Sequence, residues 1–279
     1  MIVAHINHGI RQEAIEDENF VKKYCNENDI PIFIKKADIR QLAKEKNKGQ
    51  EEMGRFVRYE FFDEVAKKTE SNKIAIAHNS NDNAETIIMN ILRGTGIDGL
   101  KGIEVIREGR IIRPLIEIQR EEIEEYCEKS NLNPRIDKTN NENDYTRNKI
   151  RNICIPYIKK EFNPNIIANM NRIGEIAREE ISLIDELVKN AFDNVVIDQD
   201  DKQIIFSLEE FNKLHLVIKK KLILYTINKV CGTTRDIQKI HIEDIIKMLQ
   251  NNIGNKYLSP KKYIKISLKC KKIYFNSQT

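Results

Sequence analysis

Residues 77–86 combine side chains that could bind a ligand with a change in hydropathy pattern. A short apolar segment ends at Ala77 and an amphipathic segment starts at Ala84, with His-Asn-Ser-Asn-Asp-Asn between them. Ligands bind beyond the carboxyl ends of parallel strands, and helix N-termini favour anions. We therefore expect a ligand site at this junction, with His78 and Asp82 in it. Asp82 and Glu85 also have the spacing of a capping box, which is the commoner explanation for such a pair.

Arg93 follows the amphipathic segment and precedes a glycine-rich stretch, Gly-Thr-Gly-Ile-Asp-Gly-Leu. We expect the helix to bury Ile87, Ile88, Ile91 and Leu92, and so to fix Arg93 at the same edge as residues 77–82. A guanidinium there could hold a phosphate or a carboxylate through two parallel hydrogen bonds. The alternative is structural: the glycines end the helix, and Arg93 pairs with a surface acid.

Strand-like and helix-like segments alternate through the first 130 residues. The strand-like ones are 1–8, 31–37, 73–77 and 110–115, and the helical ones are 17–28, 51–68, 84–92 and 120–129. This alternation predicts an α/β fold with a parallel, Rossmann-like sheet covered by helices. The rest is predicted to be mainly helical, with a long helix at 169–191 and a terminal hairpin. Prolines at 156 and 164 place the predicted boundary between domains 1–157 and 158–279.

Composition favours a cytoplasmic protein. The chain has 279 residues, 40% hydrophobic and 32% charged, and contains neither an apolar run of about 18 residues nor a signal-peptide pattern. Its five cysteines are scattered and form no Cys-x-x-Cys pair, which argues against a disulfide framework or a zinc site.

Charge is unevenly distributed along the chain. Residues 201–279 hold 16 Lys/Arg and 6 Asp/Glu, a net charge of +10, whereas residues 1–200 carry −6. A basic C-terminal third suggests nucleic acid as a partner. A solvated basic surface, or a coding bias that enriches lysine, is the equal alternative.

Several strings together resemble one family. The segments at 77–86 and 93–100 are similar to the patterns His-His-x-Asp-Asp-x-Ala-Glu-Thr and Leu-x-Arg-Gly-x-Gly-x-x-Gly-Leu of the tRNA(Ile)-lysidine synthetases, in the N-type ATP pyrophosphatase (PP-loop) superfamily. The other similar strings are His5-x-x-His8-Gly9-Ile10-Arg11, Glu52-x-x-Arg55-x-x-Arg58-Tyr59, Arg113-Pro114-Leu115, Asp137-x-Thr139-Asn140 and Tyr145-x-Arg147-Asn148-x-x-Arg151. The resemblance runs in order from Met1 to about Ile158.

The resemblance implies an ATP-dependent ligase that attaches lysine to C2 of the wobble cytidine (position 34) of tRNA(Ile), through an adenylated base. It implies ATP and Mg²⁺ as cofactors, tRNA(Ile) and free L-lysine as partners, and leaves a homodimer open. The family's Ser-Gly-Gly-x-Asp-Ser loop does not occur among these residues, so we expect a catalytic domain that lacks its first strand and loop and is inactive as given. Asn79 and Asn81 replace a histidine and an aspartate of the pattern, and an asparagine oxygen holds a metal more weakly than a carboxylate does.

The resemblance also implies roles for individual residues. Catalysis would involve Arg93, Asp82 and Arg113, with Asp82 also as the metal ligand. The remaining candidates divide into a nucleotide side, with His5, His8, Arg11 and His78, and a substrate side, with Asp137, Asn140, Arg147 and Arg151. For Arg147 and Arg151, which lie about one helical turn apart, a salt bridge is the equal alternative to a tRNA phosphate.

Two other functions stay open at this point. One is a non-catalytic tRNA-binding protein derived from this family. The other is a further PP-loop tRNA-modifying enzyme, such as a tRNA thiolase or an amidating synthetase. Thiolases of this kind usually carry paired cysteines, and this chain has none.

Overall fold

The computed structural model describes residues 1–9, 13–135, 143, 145–251 and 256–278. The chain divides into two compact units, Met1–Glu175 and Ile176–Thr279. The division falls within one long helix rather than at 157/158, and the predicted domain boundary stays a prediction. None of the described helices is long and apolar enough to cross a membrane.

The first unit alternates strands and helices, as expected. Its strands are β1 (Val3–Asn7), β2 (Ile32–Lys36), β3 (Ile74–Ala75), β4 (Ile106–Arg107) and β5 (Ile111–Ile112). Its helices are α1 (Glu13–Glu27), α2 (Ile39–Glu45), α3 (Gln50–Lys68), α4 (Ser80–Leu92), α5 (Ile97–Leu100), α6 (Arg120–Lys129), α7 (Thr146–Lys149) and α8 (Ile155–Glu161). A π-helical turn, Ile150–Cys154, joins α7 to α8.

In the described part of the first unit, the two pairings between strands that are separated by a helix are parallel. β1 pairs with β2, and β3 pairs with β5, while β4 joins β5 in the antiparallel sense. This confirms the predicted α/β class. The strand-like segment 73–77 forms only the two-residue strand β3 at the edge of the order β3-β5-β4, where Ile74 is partly buried and Ala75 is exposed.

The apolar face of α3 is buried, whereas that of α4 is buried only in part. Met53, Val57, Phe61 and Val65 of α3 are all buried, as the helical spacing predicts. In α4, Ala84 and Ile88 pack against Ile150, Ile155 and Ile167. The end of the same helix is uncovered: Ile91 is 47% and Leu92 68% exposed, so the prediction that α4 buries them was wrong.

The second unit contains more sheet than expected. The helix α9 (Ile166–Val195) enters it from the first unit and leads to β6 (Val196–Gln199), β7 (Gln203–Ser207), α10 (Leu208–Lys213), α11 (Leu216–Cys231), α12 (Lys239–Gln250), β8 (Tyr257–Lys261), β9 (Ile264–Lys269) and β10 (Lys272–Ser277). The predicted terminal hairpin is confirmed as β9 and β10. It belongs to a five-stranded antiparallel sheet in the order β6-β7-β10-β9-β8.

One face of this sheet forms the main core of the unit. Alternate residues of β7, β9 and β10 pack against α9, α11 and α12, and the fully buried side chains include Phe206, Leu222, Ile227, Ile245 and Phe275. The period-two alternation of these strands leaves Tyr257, Lys265, Ser267 and Tyr274 on the opposite face. Core packing therefore holds a separate polar face in place.

Candidate functional site

The start of α4 is held by a capping box one turn earlier than expected. The Asn79 side chain accepts a hydrogen bond from the Asp82 backbone N–H at 2.9 Å, and Asp82 Oδ2 accepts one from the Asn79 backbone N–H at 3.1 Å. The prediction that Asp82 and Glu85 form the box was wrong. Asparagine is among the best N-cap residues, and the Asn-x-x-Asp string was the signal that identifies this cap.

Two arginines bind the two acids of α4. Arg151 donates to Glu85 from Nε at 2.6 Å, and Arg147 donates to Glu85 from Nε at 2.9 Å. Both also donate from Nη2 to Asp82 Oδ1, at 3.0 and 3.1 Å. We call Asp82, Glu85, Arg147 and Arg151 the charge cluster. Glu85 is only 1% exposed, so these hydrogen bonds satisfy a carboxylate that water does not reach.

The two arginines lie on a short α-helix and on the π-helical turn that continues it. Arg147 lies in α7 and Arg151 in the π-helical turn that follows it. Hydrogen bonding to Glu85 holds the pKa of Arg151 above its ordinary value, against the opposing effect of burial. Sequence reasoning missed Glu85 as part of the site, although an acid within an apolar helix and two arginines one turn apart were the available signals.

The charge cluster bears on three predicted roles. For Arg147 and Arg151 the observed contacts are the salt-bridge alternative, although these pairs are partly buried rather than on the surface. For Asp82, both oxygens already accept hydrogen bonds. Among the residues that the structure describes, no group of three or more His, Cys, Asp or Glu side chains could hold a metal ion.

His78 and Arg113 are brought together, as predicted for one site. Arg113 is 4% exposed; its Nε donates to His78 Nδ1 at 3.2 Å, and its Nη1 donates to the carbonyl oxygen of Glu104. Since Nδ1 accepts, the neutral imidazole carries its proton on Nε2. The pKa of His78 is lowered to about 4, mainly because burial disfavours the charged ring. The charge of Asp82 opposes this shift, and Arg113, Arg147 and Arg55 each lower the pKa by a smaller amount. His78 is therefore a neutral hydrogen-bond donor at pH 7.

The other two candidate histidines lie in β1 and just after it. His5 lies partly buried within the strand, and its pKa is lowered because burial outweighs the opposing charges of Glu18 and Asp17. His8 follows the strand, and its Nε2 lies 3.2 Å from Arg58 Nη2. Arg11, Asp137 and Asn140 lie outside the described residues, and their roles stay predictions.

Arg93 is not at the edge where it was expected. It follows the last residue of α4, whereas Asp82 lies in the first turn, so the two are about 16 Å apart along the helix axis at 1.5 Å per residue. Arg93 is exposed, and its guanidinium meets no carboxylate within 4 Å in the described part of the chain. The glycine that follows adopts a φ of +76°, which supports the helix-end interpretation of Gly94.

Comparison with known proteins matches this arrangement to one family. Residues 1–158 match the model of the PP-loop domain. The chain is 44% identical over 258 residues to the tRNA(Ile)-lysidine synthase of Clostridium acetobutylicum, and 41% identical over 257 residues to that of Caldanaerobacter subterraneus subsp. tengcongensis. Each match covers 92% of this chain, and 56% and 55% of the relative. The chain thus spans about half the length of the curated relatives it matches.

A solved structure supports the fold. The chain is similar to the U34-tRNA thiolase NcsA from Methanococcus maripaludis, solved with its [4Fe-4S] cluster, with a TM-score of 0.50 and 18% identity. The match covers 63% of this chain and 62% of the thiolase, and at this identity it bears on the fold alone. The family model and the strand and helix order of the first unit lead to one conclusion: the chain belongs to the PP-loop domain family.

Proposed function

We propose that the protein is a tRNA(Ile)-lysidine synthetase, a ligase that uses ATP to join lysine to C2 of the wobble cytidine of tRNA(Ile). The observation that carries this proposal is the 44% identity to such a synthase over 92% of the chain. The site geometry is compatible with it, because cations and a buried carboxylate lie at the carboxyl end of β3.

The reaction needs an activated base and a deprotonated amine. ATP supplies the activation by transferring AMP to the oxygen at C2 with release of pyrophosphate. The ε-amine of lysine then forms the C–N bond and AMP leaves, after the ammonium group, with an ordinary pKa near ~10.4, has lost a proton.

We assign residues to this reaction as follows. Arg113 orients His78, and the His78 Nε2–H donates a hydrogen bond to a phosphate or base oxygen. Asp82 is the more exposed acid of the charge cluster, with 18% of its side chain accessible against 2% for Glu85, and it is the carboxylate that meets the lysine amine. Arg147 and Arg151 are positioning residues for Asp82. His5, His8, Arg11, Asp137 and Asn140 complete the proposed nucleotide and substrate sides.

The residues fit the two proposed cofactors unequally. A polyphosphate is compatible with an edge where Arg55 and Arg113 lie near the neutral His78 and Arg58 lies beside His8. We assign no resident Mg²⁺ site, since no group of three or more His, Cys, Asp or Glu side chains that could hold a metal ion lies among the described residues. We therefore propose ATP as the nucleotide, with Mg²⁺ arriving on its phosphates, and assign no step to the metal.

The second unit supports binding of tRNA. On the outer face of its sheet, Tyr274 and Tyr257 flank Ser267 on neighbouring strands. Tyr257 is 61% exposed, and Lys265 Nζ lies 4.2 Å from the centre of its ring. Together with Lys269 and Lys272 these side chains form what we call the basic sheet face. Exposed rings next to ammonium groups suit unstacked bases and their phosphates.

The test is lysine incorporation by the protein expressed from its own locus, together with any in-frame codons that adjoin this segment. Radiolabelled lysine, ATP, Mg²⁺ and a tRNA(Ile) transcript with cytidine at position 34 should give labelled tRNA and pyrophosphate. A transcript with uridine at that position is the matched control. Binding of tRNA without lysine incorporation would instead indicate a non-catalytic tRNA-binding protein, and sulfur transfer would indicate a thiolase.

Compartment and assembly belong to the same proposal. Free tRNA, ATP and lysine are cytoplasmic metabolites, so we propose the cytoplasm as the site of action. Light scattering of the same preparation, with and without tRNA, distinguishes a monomer from a homodimer.

A further inference from the structure

A buried asparagine of α4 joins that helix to two other parts of the first unit. Asn83 is 1% exposed, and both ends of its amide are hydrogen bonded. Its Nδ2 donates to Asn171 Oδ1 on α9 at 2.7 Å, and its Oδ1 accepts from the backbone N–H of Ile103 at 2.7 Å. Asn83 belongs neither to the capping box nor to the charge cluster, so the site as described so far gives it no role.

The hydrogen bonds determine which way the amide of Asn83 faces. The Ile103 N–H can only donate, so the oxygen of Asn83 must face it. Asn171 Nδ2 donates to the carbonyl oxygens of Ser80 at 3.0 Å and Ile167 at 2.9 Å, so its own oxygen must face Asn83. If the Asn83 amide were turned over, two donors would meet at one end and two acceptors at the other. Asn83 therefore has one stable orientation.

A glycine allows the backbone to approach this amide. Gly102 has a φ of +65°, and it precedes the residue whose N–H reaches Asn83. A Cβ atom at Gly102 would overlap Asn83 Oδ1 and would lie 2.9 Å from Ile87 Cγ1. Only glycine combines this backbone conformation with so close a contact. The packing thus fixes residues 102–105 against α4.

The same segment holds Arg113. The Nη1 atom of Arg113 donates to the carbonyl oxygen of Glu104, and its backbone N–H donates to that of Val105 at 3.2 Å. From Nε, Arg113 donates to His78 Nδ1 at 3.2 Å. A chain of contacts therefore runs from the amide of Asn83, through the 102–105 segment, to the guanidinium of Arg113 and the imidazole of His78.

We infer that Asn83 is a positioning residue for His78. Held by Asn171, it fixes the 102–105 segment, which in turn orients Arg113. The neutral imidazole keeps its proton on Nε2 only while Nδ1 accepts a hydrogen bond. If Arg113 moves away, the proton distributes over both ring nitrogens and part of the molecules lose the Nε2–H donor. The catalytic consequence rests on the proposed function, whereas the effect on the imidazole does not.

The tautomer of His78 tests this role without any substrate. Long-range proton–nitrogen NMR spectra of the complete protein, labelled with ¹⁵N-histidine, distinguish a ring protonated at Nε2 from one protonated at Nδ1. His78→Gln identifies the signals of His78. Asn83→Ala removes both hydrogen bonds of the amide. The matched control is Asn90→Ala, since Asn90 lies on the same helix and donates from Nδ2 to the carbonyl oxygen of Gly99 at 2.8 Å.

At pH 7 we expect the Nε2–H tautomer of His78 in wild type and in Asn90→Ala, and a mixture of tautomers in Asn83→Ala. An unchanged spectrum in Asn83→Ala, or the same mixture in Asn90→Ala, overturns the inference. If Asn83→Ala does not fold, Asn171→Ala decides. It removes the group that orients the Asn83 amide and leaves the 102–105 segment intact, so a mixture supports the inference and a wild-type spectrum overturns it.

Lysine incorporation separates this inference from the proposed function. Asn83→Ala should lower kcat about tenfold or more and leave KM for the tRNA(Ile) transcript within about twofold, because a misplaced donor affects the transition state more than initial binding. A changed tautomer with wild-type kcat overturns the positioning role. A wild-type protein that forms no lysidine, while Asn83→Ala still changes the tautomer of His78, overturns the proposed function and leaves the link between the two residues standing.

Discussion

Arg151 holds the carboxylate of Glu85 with two hydrogen bonds, from Nε to Oε1 at 2.6 Å and from Nη2 to Oε2 at 2.8 Å. This two-point contact joins the π-helical turn after α7 to the middle of α4. Arg147 adds a third bond to the same carboxylate. Glu85 is buried and binds the same two arginines as Asp82. It therefore helps to orient Asp82 without contacting a ligand itself.

Glu85→Gln should therefore destabilise the first unit strongly. Removing one partner of a buried ion pair typically costs about 3–5 kcal/mol, because the remaining charges lose their compensation. Urea denaturation measures the change in the free energy of unfolding. Glu121→Gln is the control, since that acid pairs with Lys159 on the surface and its loss should cost about 1 kcal/mol or less. Equal effects of the two substitutions would contradict a buried role for Glu85.

Acid should weaken the fold through His78. Its pKa is about 4 in the folded protein and near 6.5 when unfolded, so the unfolded state takes up a proton first as pH falls. The resulting stability is fully present above pH ~6.5 and is lost as pH falls towards 4, at no more than about 1.4 kcal/mol per pH unit. Partial solvent exposure reduces that value.

The measurement is the free energy of unfolding between pH 7 and pH 4 for wild type and for His78→Gln, which keeps an acceptor for Arg113. The difference between the two proteins removes the contributions of other titrating groups, His5 among them. If both proteins lose stability with the same slope, His78 does not carry this dependence.

Binding of tRNA should weaken with salt and depend on the basic sheet face. Released counterions make log K fall linearly with log salt, with a slope set by the number of phosphate contacts. Lys269→Glu with Lys272→Glu should lower affinity about tenfold or more and flatten that slope. The control is Lys213→Glu on α10, where Glu210 already neutralises the lysine. Affinity that does not change with salt would mean that the basic third of the chain is only a solvated surface.

Elements that depend on the local spacing of apolar residues could be predicted from the sequence. Side-chain contacts between residues that are far apart in the chain could not. The spacing of Met53, Val57, Phe61 and Val65 identifies α3 because one buried face specifies both the helix and its orientation. Glu85 was missed because its partners Arg147 and Arg151 lie more than 60 residues away. No periodic pattern reports that pairing, and the capping-box spacing offered a local explanation instead.

The same limit explains the errors at the end of α4 and in the second unit. Ile91 and Leu92 follow the helical repeat, yet they are 47% and 68% exposed. β6 and β7 are short, and they become strands because β10 pairs with β7 from about 70 residues further along the chain. The resemblance to a family identified strings that belong to one site, but not the distance that separates Arg93 from Asp82.

That distance changes what Arg93 is expected to do. The backbone of Arg93 lies about 16 Å from that of Asp82 along α4, so we expect its guanidinium not to share a reacting atom with the charge cluster. It is exposed and meets no carboxylate of the described residues, and we propose that it binds a phosphate of the tRNA. We expect Arg93→Ala to raise KM for tRNA at least tenfold, about 1.4 kcal/mol, with kcat and the melting temperature nearly unchanged. Arg93→Lys should show most of the same loss if the contact uses two guanidinium nitrogens, and little if only charge matters.

Steady-state kinetics with varied tRNA separates KM from kcat. The control is Arg120→Ala, because Arg120 pairs with Glu124 on α6. A fall in kcat without a change in KM would return Arg93 to the reacting site, and wild-type kinetics for both substitutions would leave it as a residue that only ends its helix.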